Sequence, residues 1–183
     1  MYEVEVKAKL KDRKAVIKKL QDFGCKFSEE LHQVDHVYFP EGFTFPPPIG
    51  TGILRVRKQN DKYFFTLKIS QSGRQDSIER EMEIKDGEMM IEIIKLLKYQ
   101  EAPTVDKKRN KTKYKDMVIE LDEVKELGEF IEVEKIVTHT DPEVRKNIQK
   151  ELCEFLETLG VGREDLLVNA KYDIMLFEKN KVI

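Results

Sequence analysis

Residues 3–7 read EVEVK, a stretch in which charged and apolar side chains alternate. A period of two predicts a β-strand with one charged face and one apolar face. Residues 81–85 read EMEIK and repeat the pattern 78 positions later, since 81 − 3 = 78. We interpret the two stretches as the first strands of two pseudo-repeated halves of the chain.

The same order follows each of these strands, namely a helix and then three further strands. Val16 and Leu20 lie at helical spacing in the first half, and Met90 and Ile94 do so in the second. The predicted strands cover about residues 2–10, 34–39, 53–58, 63–69, 81–85, 104–114, 117–124 and 129–137. Eight strands with few helices predict an α+β fold. We expect an eight-stranded closed antiparallel β-barrel with helices packed outside, because closure of the sheet removes unpaired edges.

The length of 183 residues suits a single domain with one core. We expect a first half over about 1–78, a second half over about 79–138 and C-terminal helices over about 141–178. The proline-rich residues 40–50 predict a loop, either a connector or a lid over a site.

Charged residues make up 37% of the chain, but Lys+Arg (33) and Asp+Glu (35) nearly cancel. This balance argues against a nucleic-acid or membrane-surface binder, and a heavy Lys/Glu load is typical of thermophile proteins. No stretch approaches eighteen consecutive apolar residues. Cys25 and Cys153 are expected to be free thiols, and the expected location is cytoplasmic.

On most strands, side chains of like charge share one face, as Arg55 and Arg57 do, or Glu132 and Glu134. Two arrangements satisfy this pattern. In the common one, the apolar faces form an interior core and the charges meet water. In the other, helices cover an apolar outside and the charges line a wet tunnel. The amphipathic helices and the absence of alternating signs favour the tunnel.

Paired carboxylates and paired arginines suggest a ligand that carries both a metal and several negative charges. Carboxylate oxygens are natural ligands for Mg²⁺ or Mn²⁺, since both are hard cations. Guanidinium groups suit phosphate oxygens because of their planar donors. The sequence therefore predicts a site for a polyphosphate–metal complex.

Further motifs follow EVEVK in order over nearly the whole chain: QxDxxYF at 33–39, LRxR at 54–57, TLK at 66–68, RExE at 80–83, KxR at 107–109, LDEVxxLGxFxExE at 121–134 and KY at 171–172. With these motifs the sequence resembles the CYTH superfamily, the triphosphate tunnel enzymes, whose ExExK signature is matched by EVEVK. It is most similar to the archaeal and bacterial group labelled class IV adenylyl cyclase.

The resemblance implies roles for named residues. Those that would bind the triphosphate are Lys7, Arg55, Arg57, Lys68, Lys107 and Arg109. Those that would hold one or two Mg²⁺ or Mn²⁺ ions are Glu3, Glu5, Asp122, Glu132 and Glu134. Those that would line the tunnel in other roles are Arg80, Glu81, Glu83, Glu120 and Lys171. Lys68 is also the candidate catalytic residue, as a proton-transfer group whose pKa Arg55 and Arg57 would lower.

Three functions stay open at this point. A cyclase would convert ATP to cyclic AMP and pyrophosphate. A triphosphatase would hydrolyse thiamine triphosphate, inorganic triphosphate or a nucleoside triphosphate. A non-catalytic module would only bind the triphosphate. The expected partner is a small-molecule triphosphate, without nucleic acid or membrane. The apolar stretch 89–97 suggests either core or the face of a homodimer.

Overall fold

A computed structural model of the chain describes residues 1–138, 141–168 and 170–181. The described residues form ten strands: β1 (Tyr2–Lys9), β2 (Leu31–Pro40), β3 (Gly52–Gln59), β4 (Lys62–Gly73), β5 (Asp76–Ile84), β6 (Tyr99–Glu101), β7 (Val105–Tyr114), β8 (Met117–Val124), β9 (Gly128–Val137) and β10 (Leu166–Leu167). They also form four helices: α1 (Arg13–Asp22), α2 (Gly87–Leu96), α3 (Pro142–Thr158) and α4 (Tyr172–Lys181).

Eight of the strands pair into a closed antiparallel ring, in the order β1-β5-β4-β3-β2-β7-β8-β9. β9 pairs with β1 along its length, from Tyr2 opposite Val137 to Lys9 opposite Phe130, and this pairing closes the ring. Exchanging β1 with β5, β2 with β7, β3 with β8 and β4 with β9 reproduces the same neighbours around the ring. The predicted closed sheet of eight antiparallel strands is therefore confirmed.

The apolar faces of the strands point outward and are covered by helices. Val4 of β1 and Ile119 of β8 are fully buried in one cluster with Leu20 of α1 and Leu156 of α3. Removing each such side chain from water stabilises the fold by about 1.5–3 kcal/mol. Because this core lies between sheet and helices, the arrangement with an apolar interior of the ring is excluded.

Helix α2 covers a different part of the ring. Its Ile94 is 1% exposed and packs in a second cluster with Tyr38 of β2 and Val56 of β3. The Asp86 side chain caps the helix by accepting a hydrogen bond from the Met89 backbone N–H at 2.9 Å. None of the helices in the described ranges is both long enough and apolar enough to cross a membrane.

The sequence pattern missed two short strands and misjudged one helix. β6 pairs with β2, and β10 pairs with β1 through Leu166 and Leu167. Segments of two or three residues are too short to display an alternation, so the sequence pattern could not predict these strands. The C-terminal helices expected over about 141–178 are interrupted between α3 and α4 by a 3₁₀ turn at Arg163–Asp165 and by β10.

Candidate active site

The ring encloses a cavity whose empty volume, including its open mouth, is about 1190 Å³. Charged side chains from most strands of the ring and from the start of α4 line it. Nine carboxylates and nine lysine or arginine side chains contribute to its wall. The charged strand faces thus point inward, and this cavity is the candidate active site.

Most of the predicted site residues meet in this cavity. All six predicted triphosphate-binding residues line it: Lys7, Arg55, Arg57, Lys68, Lys107 and Arg109. Four of the five predicted metal ligands line it: Glu3, Glu5, Glu132 and Glu134. Three of the five residues without an assigned role line it: Glu81, Glu120 and Lys171.

The structure places the other three predicted residues outside the cavity lining. Asp122 is fully buried in the wall, behind Arg109. Arg80 is exposed and donates a hydrogen bond to the backbone carbonyl of Glu79. Glu83 is exposed and forms an ion pair with Lys62 at 3.1 Å.

Two arginines are each held by an aspartate directly opposite on a neighbouring strand. Arg57 donates to both carboxylate oxygens of Asp35, at 2.6 and 2.7 Å. Arg109 donates to both oxygens of Asp122, at 2.6 and 2.5 Å. These buried arginines lower the pKa values of both aspartates, although burial alone would raise them. Each guanidinium is thereby fixed in direction, as recognition of phosphate oxygens requires.

Lys68 lies among carboxylates from β1 and β5. Its Nζ is 2.5 Å from Glu3 and 2.8 Å from Glu79. Burial alone would lower the pKa of Lys68, but the negative charges of Glu3, Glu5 and Glu79 raise it well above its ordinary value. The expectation that neighbouring arginines lower this pKa is therefore wrong, because carboxylates surround the amine more closely than cations do.

The pKa of Lys107 falls to about 8. Burial lowers it first, and the charges of Arg109 and Arg57 lower it further. The Nζ of Lys107 lies 5.1 Å above the ring of Tyr172, and the Nζ of Lys7 lies 4.1 Å from the same ring. The two ammonium groups are thus positioned by one aromatic side chain from α4.

Carboxylates converge in two groups that share one member. One group is Glu3, Glu5 and Glu134, and the other is Glu120, Glu132 and Glu134. Within each group one oxygen of every member lies within 4.8 Å of the others. Burial, and then the charges of the neighbouring glutamates, raise the pKa of Glu134 to about 9. Such crowding of like charge fits a site for hard divalent cations.

Sequence reasoning missed several wall residues, of which Glu79, Asp35 and Tyr172 matter most. Glu79 lies two positions before Glu81, so strict alternation would have placed it on the inward face. Asp35 lay within a matching motif but was given no role. Tyr172 enters from a helix outside the ring, and strand alternation carries no signal for it.

Part of the cavity wall is apolar. Phe45 and Ile53 line it together with Ile174 of α4. The ring of Phe45, which belongs to the loop predicted at 40–50, lies 5.3 Å from the ring of Phe39 and 5.0 Å from that of Phe177. The loop therefore forms part of the wall, and its movement as a lid stays a prediction.

Comparisons with known proteins agree with this architecture. The CYTH domain family matches residues 1–170. A Methanocaldococcus jannaschii protein named "putative adenylate cyclase" is 30% identical over 169 residues, which cover 91% of this chain and 94% of that protein. A solved structure from Pyrococcus horikoshii superposes with a TM-score of 0.81 at 26% identity, over 97% of this chain and 99% of that one.

A Hippeastrum protein, named "putative adenylyl cyclase" and described as having a dominant triphosphatase activity, shares the fold. It superposes with a TM-score of 0.60 at 18% identity and covers 100% of this chain and 98% of its own. The family match extends over most of the sequence, from β1 through all eight ring strands to the segment before α4. This chain belongs to the CYTH domain family.

Proposed function

We propose that this protein is a metal-dependent enzyme that acts on a nucleoside or other organic triphosphate. The supporting observation is the cavity itself, in which fixed guanidinium groups and paired carboxylates face the same enclosed space. The carboxylates would hold a divalent cation, and the cationic side chains would hold phosphate oxygens. The carboxylates would not suit phosphate oxygens, and the cationic side chains would not suit a metal ion.

The cationic side chains would bind the triphosphate. Arg57 and Arg109 are 7% and 4% exposed, and each is anchored by two hydrogen bonds to an aspartate. Lys7 and Lys107 add ammonium groups near the ring of Tyr172. Anchored donors of this kind need little reorganisation when negative charge develops on a leaving phosphate.

The two carboxylate groups would hold Mg²⁺ or Mn²⁺, with Glu134 shared between them. When bound, such an ion neutralises phosphate charge and lowers the pKa of an attacking hydroxyl. The protein's own contribution is to hold the two glutamate groups and the arginines at fixed positions in one ring. Asp122, which is paired with Arg109, would position that arginine rather than a metal ion.

The reaction we favour is cyclisation of ATP to cyclic AMP and pyrophosphate, as in class IV adenylyl cyclases. The 3′ hydroxyl of the ribose would lose its proton to solvent as its oxygen bonds to the α-phosphorus, and the bond from that phosphorus to the pyrophosphate oxygen would break. The name of the Methanocaldococcus jannaschii relative supports this choice. The same cavity accommodates attack by water, which would make the protein a triphosphatase.

Product analysis separates these activities. The protein is incubated with ATP, thiamine triphosphate or inorganic triphosphate, each with Mg²⁺ or Mn²⁺, and the products are identified. Cyclic AMP with pyrophosphate supports the cyclase, and orthophosphate alone indicates a triphosphatase. Triphosphate binding without any product would overturn enzymatic function.

A matched pair of variants tests whether the ring cavity is the site. Lys107 is buried in the cavity wall, whereas the adjacent Lys108 is exposed on the other face of β7. We expect Lys107→Met to lower triphosphate affinity by about 10-fold, the loss of a charged hydrogen bond of roughly 1.5 kcal/mol. Lys108→Met should have little effect. Equal effects would place binding elsewhere.

A further inference from the structure

Helix α2 carries apolar side chains on its outer surface as well as on its inner one. Met89, Ile93, Leu96 and Leu97 are 52%, 43%, 80% and 62% exposed, and we call these four residues the α2 face. They lie at positions i, i+4, i+7 and i+8, so they form one continuous stripe. A stripe of this kind on an outer surface marks an interaction site more often than a solvated surface.

The α2 face is not needed for the chain's own core. The opposite side of the helix already packs against the ring, through the buried Ile94 and the partly buried Met90 and Ile91. An exposed Met82 on β5, 61% accessible, lies opposite Phe65 of β4, and Phe65 belongs to the cluster beneath α2. The apolar outer surface in this region therefore includes sheet as well as helix.

Charge is distributed unequally along α2. The N-terminal end carries the cap Asp86 and Glu88 after a single Lys85, and the C-terminal end carries Lys95 and, just beyond it, Lys98. A parallel copy of the helix would place like charges side by side. An antiparallel copy brings each acidic end to a basic end, and it also opposes the two helix dipoles favourably.

Three residues of the α2 face, Met89, Ile93 and Leu97, are spaced symmetrically about Ile93. Met89 precedes Ile93 by four positions and Leu97 follows it by four. A two-fold axis at Ile93 would therefore bring Met89 of one chain near Leu97 of the other, and the acidic end near the basic end. We propose that a second copy of this chain covers the α2 face, in a two-fold symmetric dimer with antiparallel α2 helices.

The first test is the molar mass in solution, measured by light scattering during size-exclusion chromatography at micromolar concentration. We expect twice the 21.6 kDa of one chain. Ile93→Asp should give the single-chain mass, because it places two carboxylates at the axis. Ile136→Asp is the matched control, since Ile136 is 55% exposed on β9. A monomeric wild type, or a dimer that persists in Ile93→Asp, would overturn the proposal.

The second test excludes a mere folding defect. A basic variant carries Glu88→Lys and Glu92→Lys, and an acidic variant carries Lys95→Glu and Lys98→Glu. Each alone would bring like charges together and should dissociate at least 10-fold more readily than the wild type. An equimolar mixture should recover the dimer, because opposite charges then face each other. Failure of the mixture to associate would contradict the antiparallel pairing.

Discussion

At the scale of single residues, Arg57 and Arg109 are each fixed by an aspartate on the adjacent strand. In the first pair, β2 supplies the aspartate and β3 the arginine. In the second pair the order along the chain is reversed, since β7 supplies the arginine and β8 the aspartate. The two arginines therefore lie on strands that flank β2, each held by an aspartate, and both line one cavity.

Asp122 is fully buried and accepts hydrogen bonds from Arg109, Lys107 and Tyr172. We expect Asp122→Ala to lower the free energy of unfolding by about 3–5 kcal/mol, because buried cations lose their counter-charge. Urea denaturation measures this. Glu123→Ala, on the exposed neighbour, should change stability by less than about 0.5 kcal/mol. A loss below 1 kcal/mol for Asp122→Ala would contradict the positioning role.

The pKa of Lys107, lowered to about 8, predicts how binding depends on pH. The amine is charged below pH 8 and loses its charge above it. Triphosphate affinity should therefore fall above pH 8, towards a total loss of about 10-fold, the loss expected for Lys107→Met. In Lys107→Arg the side chain stays charged, so the fall should be smaller. Calorimetric titrations between pH 7 and 9.5 test this, and identical profiles for the two proteins would refute it.

Which side chains enter the cavity was largely predictable, because strand alternation fixes the face on which each one lies. Arg55, Arg57 and Glu134 were placed correctly for this reason. Arg80 was assigned from a motif, although alternation from Glu81 puts it on the outer face. Asp122 shares the inward face but is covered by Arg109, and spacing alone does not report such a contact.

At the scale of elements, the long strands were predictable and the short ones were not. Eight to twelve residues give several repeats of the two-residue period, as in β3 and β4. β6 and β10 have three and two residues, so only their partners define them. The docking of α4, which brings Tyr172 into the cavity, depends on packing against Phe130 at 5.1 Å and has no local signal.

The position of α4 can be tested through Tyr172. Tyr172→Phe keeps the ring near Lys7 and removes only the hydroxyl that donates to Asp122 at 3.0 Å, so it should cost about 1 kcal/mol of stability. Tyr172→Ala also removes the ring and should cost about 3–5 kcal/mol. Triphosphate affinity should fall only in Tyr172→Ala. Thermal unfolding and calorimetry measure both effects, and equal losses in the two variants would disprove a role for the ring.

At the scale of the whole molecule, closure of the ring determines what the cavity can contain. The carboxylates of β1, β8 and β9 lie on strands that neighbour one another, and the arginines of β3 and β7 flank β2 in the other part of the ring. The outer face of the same strands packs against the helices. The fold therefore separates a packed exterior from a charged interior. A substitution of a cavity residue need not change the packing between the sheet and the helices.

Because the proposed metal ion and triphosphate would share one cavity, the binding of each should depend on the other. We expect Mn²⁺ to tighten triphosphate binding about 5- to 150-fold, a coupling free energy of roughly 1–3 kcal/mol. Glu134→Gln, which removes the shared carboxylate, should reduce that factor, whereas the exposed Glu123→Gln should preserve it. Titrations with and without Mn²⁺ give the factor. Equal factors in the wild type and Glu134→Gln would show that the shared carboxylate is not involved.

The equal numbers of acidic and basic side chains in the cavity wall have a thermodynamic consequence. The nine cationic side chains attract a bare polyanion and the nine carboxylates repel it, and the reverse holds for a bare cation. If the proposed ion and triphosphate both bind here, we expect each to be a heterotropic effector of the other, and reciprocity requires that each raise the other's affinity by the same factor. We therefore expect the chelate to bind more tightly than either component alone.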